Sequence, residues 1–133
     1  LASRWSIERD IRALIKSGRK SVVTELIEGK LETIKSRILK EALAKNDAVV
    51  KITLNKVAVN LGKACVSINH IFNPQAIVLG GGVIKACGFY MLPIIQKAVL
   101  ADPFFKKFNS CQILQSQLGD DAVTLGAARL VIN

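Results

Sequence analysis

The spacing of apolar residues predicts helices over the first half of the chain. Such residues recur at helical intervals over 6–16, 21–27 and 33–44. A longer helix is expected after Asn46-Asp47, because these side chains can cap the free N–H groups at a helix start. Its apolar residues predict one broad buried face: Val57, Ala58, Leu61, Ala64, Cys65 and Ile68. Pro74 ends this helix, since proline disfavours a helical conformation in the preceding residue.

The second half of the chain alternates between strand-like and helical segments. Residues 76–79 form a short apolar run that ends in the glycine run 80–82, and 111–116 form a second, weaker strand candidate. A helix is expected from about 88 to 101, with Pro93 in its first turns, and a last helix comes after the second strand. This order predicts an α/β fold in which the two strands are neighbours in a mostly parallel sheet and the helices after them pack against it.

The composition is that of one globular domain. The chain has 133 residues, of which 50% are hydrophobic and 22% charged. Its purely apolar runs are a few residues long, so we expect no transmembrane helix. Charged residues from Arg4 to Asp10 interrupt any signal-peptide pattern, and we therefore expect a cytoplasmic protein without a membrane partner.

The net charge of +9 raises the question of nucleic-acid binding. Residues 1–66 hold fourteen basic and seven acidic side chains, whereas the rest of the chain holds five and three. The basic residues are mixed with acidic ones along the predicted helices, and aromatic residues are scarce at 5%. This pattern favours a solvated helical surface over a nucleic-acid interface.

Few residues suit catalysis or metal binding. Cys65, Cys87 and Cys111 are widely spaced, and with the lone His70 they cannot make a four-ligand zinc site; we expect three reduced thiols and no metal site. No Ser, Cys or His arrangement supports nucleophilic catalysis, and a core or surface role for His70 is favoured over a catalytic one. The adjacent Asp120-Asp121 pair is more typical of a helix cap than of an acid/base pair.

The strongest local signal is the glycine run Gly80, Gly81 and Gly82. It stands where a parallel strand ends, and ligands of open α/β sheets bind beyond the carboxyl ends of strands. Glycines there let a ligand approach the backbone closely; a tight turn with positive φ is the alternative interpretation. A dinucleotide GxGxxG motif is excluded because Lys85 replaces its last glycine, and the Gly62-Lys63 pair lacks the rest of a phosphate-binding loop.

Two motifs resemble the ROK (repressor, open reading frame, kinase) family. Residues 71–83, IFNPQAIVLGGGV, resemble its NPexIVLGGGV stretch, and 118–128, LGDDAVTLGAA, resemble its closing LGDDAgLlGAA motif. Asn46-Asp47 resembles the family's GDP-type helix start. Leu1-Ala2-Ser3 and Ile7-Glu8-Arg9 match the residues that usually come after the family's zinc-binding cysteine loop. The resemblance spans essentially the whole chain.

This resemblance implies an actin-like (ribonuclease H-like) ATPase and sugar-kinase fold, with residues 1–133 as its C-terminal lobe. It implies that Gly80, Gly81 and Gly82 contact the adenosine side of ATP, while Gly119–Gly126 has a mainly structural role. The family's DxGxT phosphate loop, catalytic aspartate, sugar-contacting Glu/His motif and zinc cysteines would all precede Leu1. Because the sequence begins with Leu1 and its one methionine is Met91, we expect part of a longer chain, without catalytic residues and inactive alone.

Three functions compete under this resemblance. The first is an ATP- and Mg²⁺-dependent hexose kinase, glucokinase- or fructokinase-like, whose partners are the missing N-terminal lobe, ATP and a sugar. The second is the sugar-sensing domain of a NagC-type transcriptional regulator, which would bind DNA only through an upstream helix-turn-helix. The third is a degenerate protein with a sugar-binding or structural role. The retained glycine run favours the kinase, and the family also implies a homodimer.

Overall fold

The computed structural model describes residues 3–27, 34–108, 111–119 and 122–131. Its elements, in chain order, are α1 (Arg4–Lys16), α2 (Val23–Leu26), α3 (Ser36–Ala44), α4 (Ala48–Phe72), β1 (Ala76–Leu79), α5 (Gly82–Leu100), α6 (Pro103–Phe108), β2 (Gln112–Gln115) and α7 (Ala122–Val131). The predictions made for Leu1, Ala2, Asp120 and Asp121 lie outside the described residues.

The long helix α4 begins and ends where the sequence predicts. The Asp47 carboxylate caps it by accepting a hydrogen bond from the Val50 N–H at 2.8 Å, and it also accepts one from the Val22 N–H at 2.8 Å. At the other end Asn73 adopts a left-handed conformation with φ 42°, and Pro74 comes next. One carboxylate therefore starts α4 and fixes the segment before α2 to it.

The buried face of α4 differs from the predicted one in its C-terminal half. Val57, Ala58 and Cys65 are buried as predicted, whereas Ala64 and Ile68 are exposed. Gly62 and Asn69 take the buried positions instead. The reason is the crossing of α4 with α5, which covers the stripe centred on Gly62 rather than the one that contains Ile68.

The crossing of α4 and α5 is the centre of the core. A Cβ atom added at Gly62 would lie 2.6 Å from the Ala98 Cβ and 3.0 Å from the Ile95 carbonyl oxygen, so the two backbones approach as closely as glycine allows. Tyr90 of α5 also donates a hydrogen bond to the Asn55 side chain of α4 at 2.9 Å. The buried side chains around this crossing include Leu54, Val57, Met91, Ile95 and Val99.

Helix α5 is longer than predicted. It begins at Gly82 rather than near Gly88, so Pro93 lies in its middle and not in its first turns. Proline is common at helix starts and unfavourable inside helices, which is why the sequence placed the start too late. Burial of Ile84 and Cys87 before Pro93 and of Ile95 after it holds both parts of the helix against the core.

By length and composition α5 could cross a membrane, which corrects the expectation that no segment of the chain could. Its 19 residues include an 18-residue stretch with a mean hydropathy of 1.4. In the structure α5 packs against α3, α4, α6 and β2, and its buried residues belong to the hydrophobic core. The apolar character of α5 is therefore that of a core helix.

The two strands form a parallel pair, as predicted, with Ala76 opposite Gln112 and Leu79 opposite Gln115. Helix α5 packs against β2, so the predicted strand–helix–strand layer is present. The side chains of α7 from Thr124 to Val131 are exposed, so this part of the last helix does not pack on the sheet as predicted. The short helix α6 was not predicted, although Asp102 and Pro103 carry the signal of a cap followed by a proline at the first helical position.

Candidate functional site

The glycine run joins β1 directly to α5. Gly80 comes after the last residue of the strand, Gly81 is the N-cap of α5, and Gly82 is its first helical residue. All three are exposed. Gly81 has φ 96°, a conformation that strains any residue with a side chain, so the turn interpretation holds at this position. No positive φ occurs at Gly80 or Gly82, where the turn does not require glycine.

The N-terminus of α5 is open to an anion. Among the residues that the structure describes no side chain caps it, and its first turn has no acidic residue. The N–H groups of the first turn of a helix have no intrahelical partner, and together with the helix dipole they favour negative charge. A phosphate group is the ligand that such a helix start commonly binds.

A cavity of about 690 Å³ lies against this turn, and we call it the glycine cavity. Its volume falls within the range of small-molecule sites in proteins, roughly 300–1,000 Å³. Helices α1, α3, α4 and α5 and the end of β1 line it, and it is open to solvent on one side. Its polar, aromatic and glycine lining includes Arg4, Trp5, Glu8, Ser36, Gly80, Gly81 and Gly82.

Glu8 places a buried carboxylate in the wall of the glycine cavity. One of its oxygens lies 3.2 Å from the Arg4 Nε, and the other lies 2.8 Å from the Arg12 guanidinium. A buried carboxylate is costly unless it is paired and hydrogen-bonded, and these two arginines pair it. The arrangement fixes Arg4 at the cavity and leaves this part of α1 with an excess of positive charge.

Trp5 lines the same cavity from α1. It is 67% exposed, and the Arg9 guanidinium lies 5.4 Å from the centre of its ring. Arg9 in turn donates two hydrogen bonds to Asp10, at 3.1 and 2.8 Å, and Lys56 of α4 donates another at 3.0 Å. The Arg9 hydrogen bonds, followed by the one from Lys56, hold the pKa of Asp10 below its usual value.

The other predicted side chains lie away from this cavity. His70 is partly exposed and bonds Asp102 at 3.2 Å, and the same carboxylate caps α6. This is a structural contact at the end of α4, as the sequence favours. Cys65, Cys87 and Cys111 are buried and are not in disulfide bonds, and desolvation raises the pKa of each thiol, to about 11 at Cys87. Such thiols are poor nucleophiles.

Metal ligands are scarce in the part of the chain that the structure describes. Residues 3–27, 34–108, 111–119 and 122–131 contain no group of three or more His, Cys, Asp or Glu side chains that could hold a metal ion. These residues by themselves therefore do not fit a structural zinc ion, and they offer Mg²⁺ no protein cage.

Sequence reasoning missed the α1 and α3 side of the cavity. Arg4, Trp5, Glu8 and Ser36 were not proposed as site residues, yet all four line it with the glycine run. One signal was present. Trp5 is the one tryptophan of the chain and stands off the apolar stripe of Ile7 and Ile11, so it does not contribute to the core.

Comparison with known proteins gives the same family from sequence and from structure. The chain is 30% identical to a glucokinase of Thermotoga maritima over 132 residues, which cover 98% of this chain and 41% of that protein. It superposes with a TM-score of 0.81 and 25% identity on a ROK family glucokinase of Streptomyces griseus in complex with glucose and AMPPNP, covering 97% of this chain and 42% of the other.

A regulator has the same fold. A ROK family transcriptional regulator, a homologue of the Escherichia coli MLC protein, matches with a TM-score of 0.76 and 22% identity over 95% of this chain and 30% of its own. The chain thus spans about two fifths of the glucokinases it matches and less of the regulator. The fold is the predicted helix-rich, actin-like α/β fold, with a short parallel sheet. The ROK family model matches residues 1–133, and the chain belongs to the ROK family.

Proposed function

We propose that residues 1–133 form the C-terminal lobe of an ATP-dependent hexose kinase and provide the adenosine side of its nucleotide site. The observation that carries this proposal is the glycine run at the end of β1, which is exposed, leads into the uncapped start of α5 and borders a cavity of ligand size. The glucokinase of Streptomyces griseus binds glucose and AMPPNP in its crystal structure, and we extend a glucose-like substrate and ATP to this protein.

In this proposal the chain binds and orients the nucleotide and performs no bond-making step. The reaction is in-line transfer of the γ-phosphoryl group to a sugar hydroxyl, with Mg²⁺ offsetting the phosphate charge. The base that accepts the hydroxyl proton, the phosphate loop, the Mg²⁺ ligands and the zinc-binding cysteines would belong to a preceding lobe. The 133 residues alone are therefore expected to be inactive, and the complete protein is expected to be a cytoplasmic homodimer.

Gly82→Ala in the full-length protein tests the proposal. A Cβ at Gly82 would lie 3.4 Å from the Ser36 hydroxyl oxygen, both residues line the cavity, and the backbone there needs no positive φ. We expect weaker ATP binding, by about tenfold, with unchanged or slightly raised stability because alanine favours helices over glycine. Gly126→Ala is a control for ATP affinity, since it lies outside the cavity and its Cβ meets nothing within 4 Å among the described residues.

Titration calorimetry with ATP and Mg²⁺, thermal unfolding and a coupled hexose-phosphorylation assay measure the three quantities. Phosphorylation of a hexose by the wild type, together with an ATP affinity lowered by Gly82→Ala alone, would support the kinase. A protein that binds a hexose, shows no turnover and does not bind ATP would overturn it in favour of the sugar-sensing regulator. In that case DNA binding through an upstream helix-turn-helix is the next measurement.

A further inference from the structure

Trp5 is a large apolar side chain that the fold leaves two-thirds exposed at the wall of the glycine cavity. Tryptophan is usually mostly buried, and the indole gives a ligand a wide apolar surface with little conformational freedom to lose. Its neighbours Ile7 and Ile11 on α1 are fully buried in the core. The exposure of Trp5 is therefore local and coincides with the cavity.

The indole is held in place from outside the cavity. Arg9 lies over the ring, Asp10 fixes Arg9 with two hydrogen bonds, and Lys56 ties Asp10 to α4. This chain of contacts places a guanidinium over the ring of a side chain that also lines the cavity. A ring fixed in this way before a ligand arrives costs less to order on binding.

The glycine run lines the same cavity, and the uncapped start of α5 at this run is suited to phosphate. A nucleotide has a flat aromatic base at one end and phosphates at the other. We propose that Trp5 stacks on the base of the bound nucleotide, while the glycine run lies beside the ribose and the start of α5 faces the first phosphate. This assignment rests on the nucleotide site of the proposed kinase and adds a base-contacting residue to it.

Two parts of the cavity lining, Trp5 and the start of α5, determine which class of ligand fits. A purine presents its whole face to an indole, and stacking of a base on an aromatic side chain is strong and tolerant of base identity. A hexose could also lie on a tryptophan, but it carries no anionic group for the start of α5. We therefore assign Trp5 to the base of ATP and not to the sugar substrate.

The experiment compares Trp5→Ala with Trp5→Phe in the full-length protein. Trp5→Ala should weaken ATP and adenosine binding about tenfold, whereas Trp5→Phe, which keeps a ring, should weaken them about threefold or less. Binding of inorganic tripolyphosphate should be unchanged in both variants. Phe89→Ala is the control, because Phe89 is an equally exposed aromatic residue on α5 that does not line the cavity.

Fluorescence gives a second readout. The difference in emission between the wild type and Trp5→Phe isolates Trp5, and ATP should quench it while glucose should not. ATP binding that is equal in the wild type and Trp5→Ala would overturn the role of Trp5 and leave the kinase standing. An equal loss of tripolyphosphate binding would also overturn it, since the substitution would then act through the fold. If the wild type binds no ATP, the proposed function itself fails.

Discussion

The crossing of α4 and α5 and the two-stranded sheet differ in how far the chain covers their apolar side chains. At the crossing, Leu54, Met91 and Ile95 are fully buried, and Gly62 lets the two helices touch. On the sheet, one face has Val78 at 60% and its paired neighbour Leu114 at 43% exposure, and they line an open groove of about 800 Å³. We call this the sheet groove. At the crossing the chain buries its own apolar side chains, whereas one face of the sheet presents apolar surface to be covered.

Helix α7 resembles the sheet in that it leaves apolar side chains exposed. Leu125, Leu130 and Val131 are all exposed, in a helix whose apolar residues would otherwise be expected in a core. The chain spans about two fifths of the glucokinases it matches. From this difference we expect the stability of the described residues to come mainly from the helical region, and substitutions on the sheet side to act on association.

The largest expected effect is the loss of a core side chain. Leu54→Ala should lower the free energy of unfolding by about 2–5 kcal/mol, because it leaves a cavity in the helical core. Leu130→Ala removes the same atoms from a side chain that is 84% exposed and should change the free energy by roughly 0.5 kcal/mol or less. Urea unfolding measures both. Equal losses would show that α7 is packed in solution, and they would contradict the difference between the helical core and the exposed side.

The close approach of the two helices gives the next effect. Gly62→Ala should cost about 1–3 kcal/mol of unfolding free energy, because its Cβ would overlap the Ala98 Cβ and approach the Ile95 carbonyl. Gly88→Ala is the matched control in α5. Its Cβ would meet the far end of the Gln115 side chain, which can move away. A Gly88 variant as unstable as the Gly62 variant would contradict the importance of the crossing.

Removing the cap of α4 should lower the free energy of unfolding by a similar or slightly smaller amount. Asp47→Ala leaves the N–H groups of Val22 and Val50 without their acceptors and should cost about 1–2 kcal/mol. Asp47→Asn keeps one acceptor oxygen and should lose less. Thermal unfolding of the two variants beside the wild type gives the order, and a reversed order would contradict the cap as the cause.

Substitutions on the exposed face of the sheet should change the self-association of the chain rather than its free energy of unfolding. Val78→Thr combined with Leu114→Gln should change the free energy of unfolding by about 0.5 kcal/mol or less, since both side chains are exposed. The same pair should reduce hydrophobic-dye binding and self-association of the 133-residue chain at micromolar concentration. Sedimentation velocity measures the association. A wild-type chain that is monomeric and binds no dye would refute the idea of an uncovered sheet.

The smallest expected effect is a pH dependence at the end of α4. The Phe105 N–H and then His70 hold the pKa of Asp102 below its usual value. A carboxyl with a lowered pKa in the folded state stabilises the fold above its unfolded pKa of about 4, and this stabilisation is lost as the pH falls below that value. Asp102→Asn should make the melting temperature fall less steeply with decreasing pH below about pH 4. An unchanged profile would assign the acid dependence to other carboxyls, such as Asp10.

The sequence by itself determined the local elements and the family. Helical spacing and the caps predicted α1, α3 and α4, the apolar run before three glycines predicted β1, and the weaker strand candidate at 111–116 predicted its parallel partner. Each of the two ROK motifs, 71–83 and 118–128, is a short continuous segment. The fold class therefore came from residues that are neighbours in the chain. Caps, turns and short apolar runs depend on neighbours in sequence, and a sequence displays those directly.

Tertiary structure alone decided which surfaces meet. The buried stripe of α4 includes Gly62 because α5 crosses there, and α5 continues past Pro93 because core contacts hold it on both sides. The glycine cavity joins Trp5 to Gly82, which are far apart in the chain. Contacts between distant segments depend on the relative placement of whole helices, and the spacing of residues within one helix carries no record of that placement.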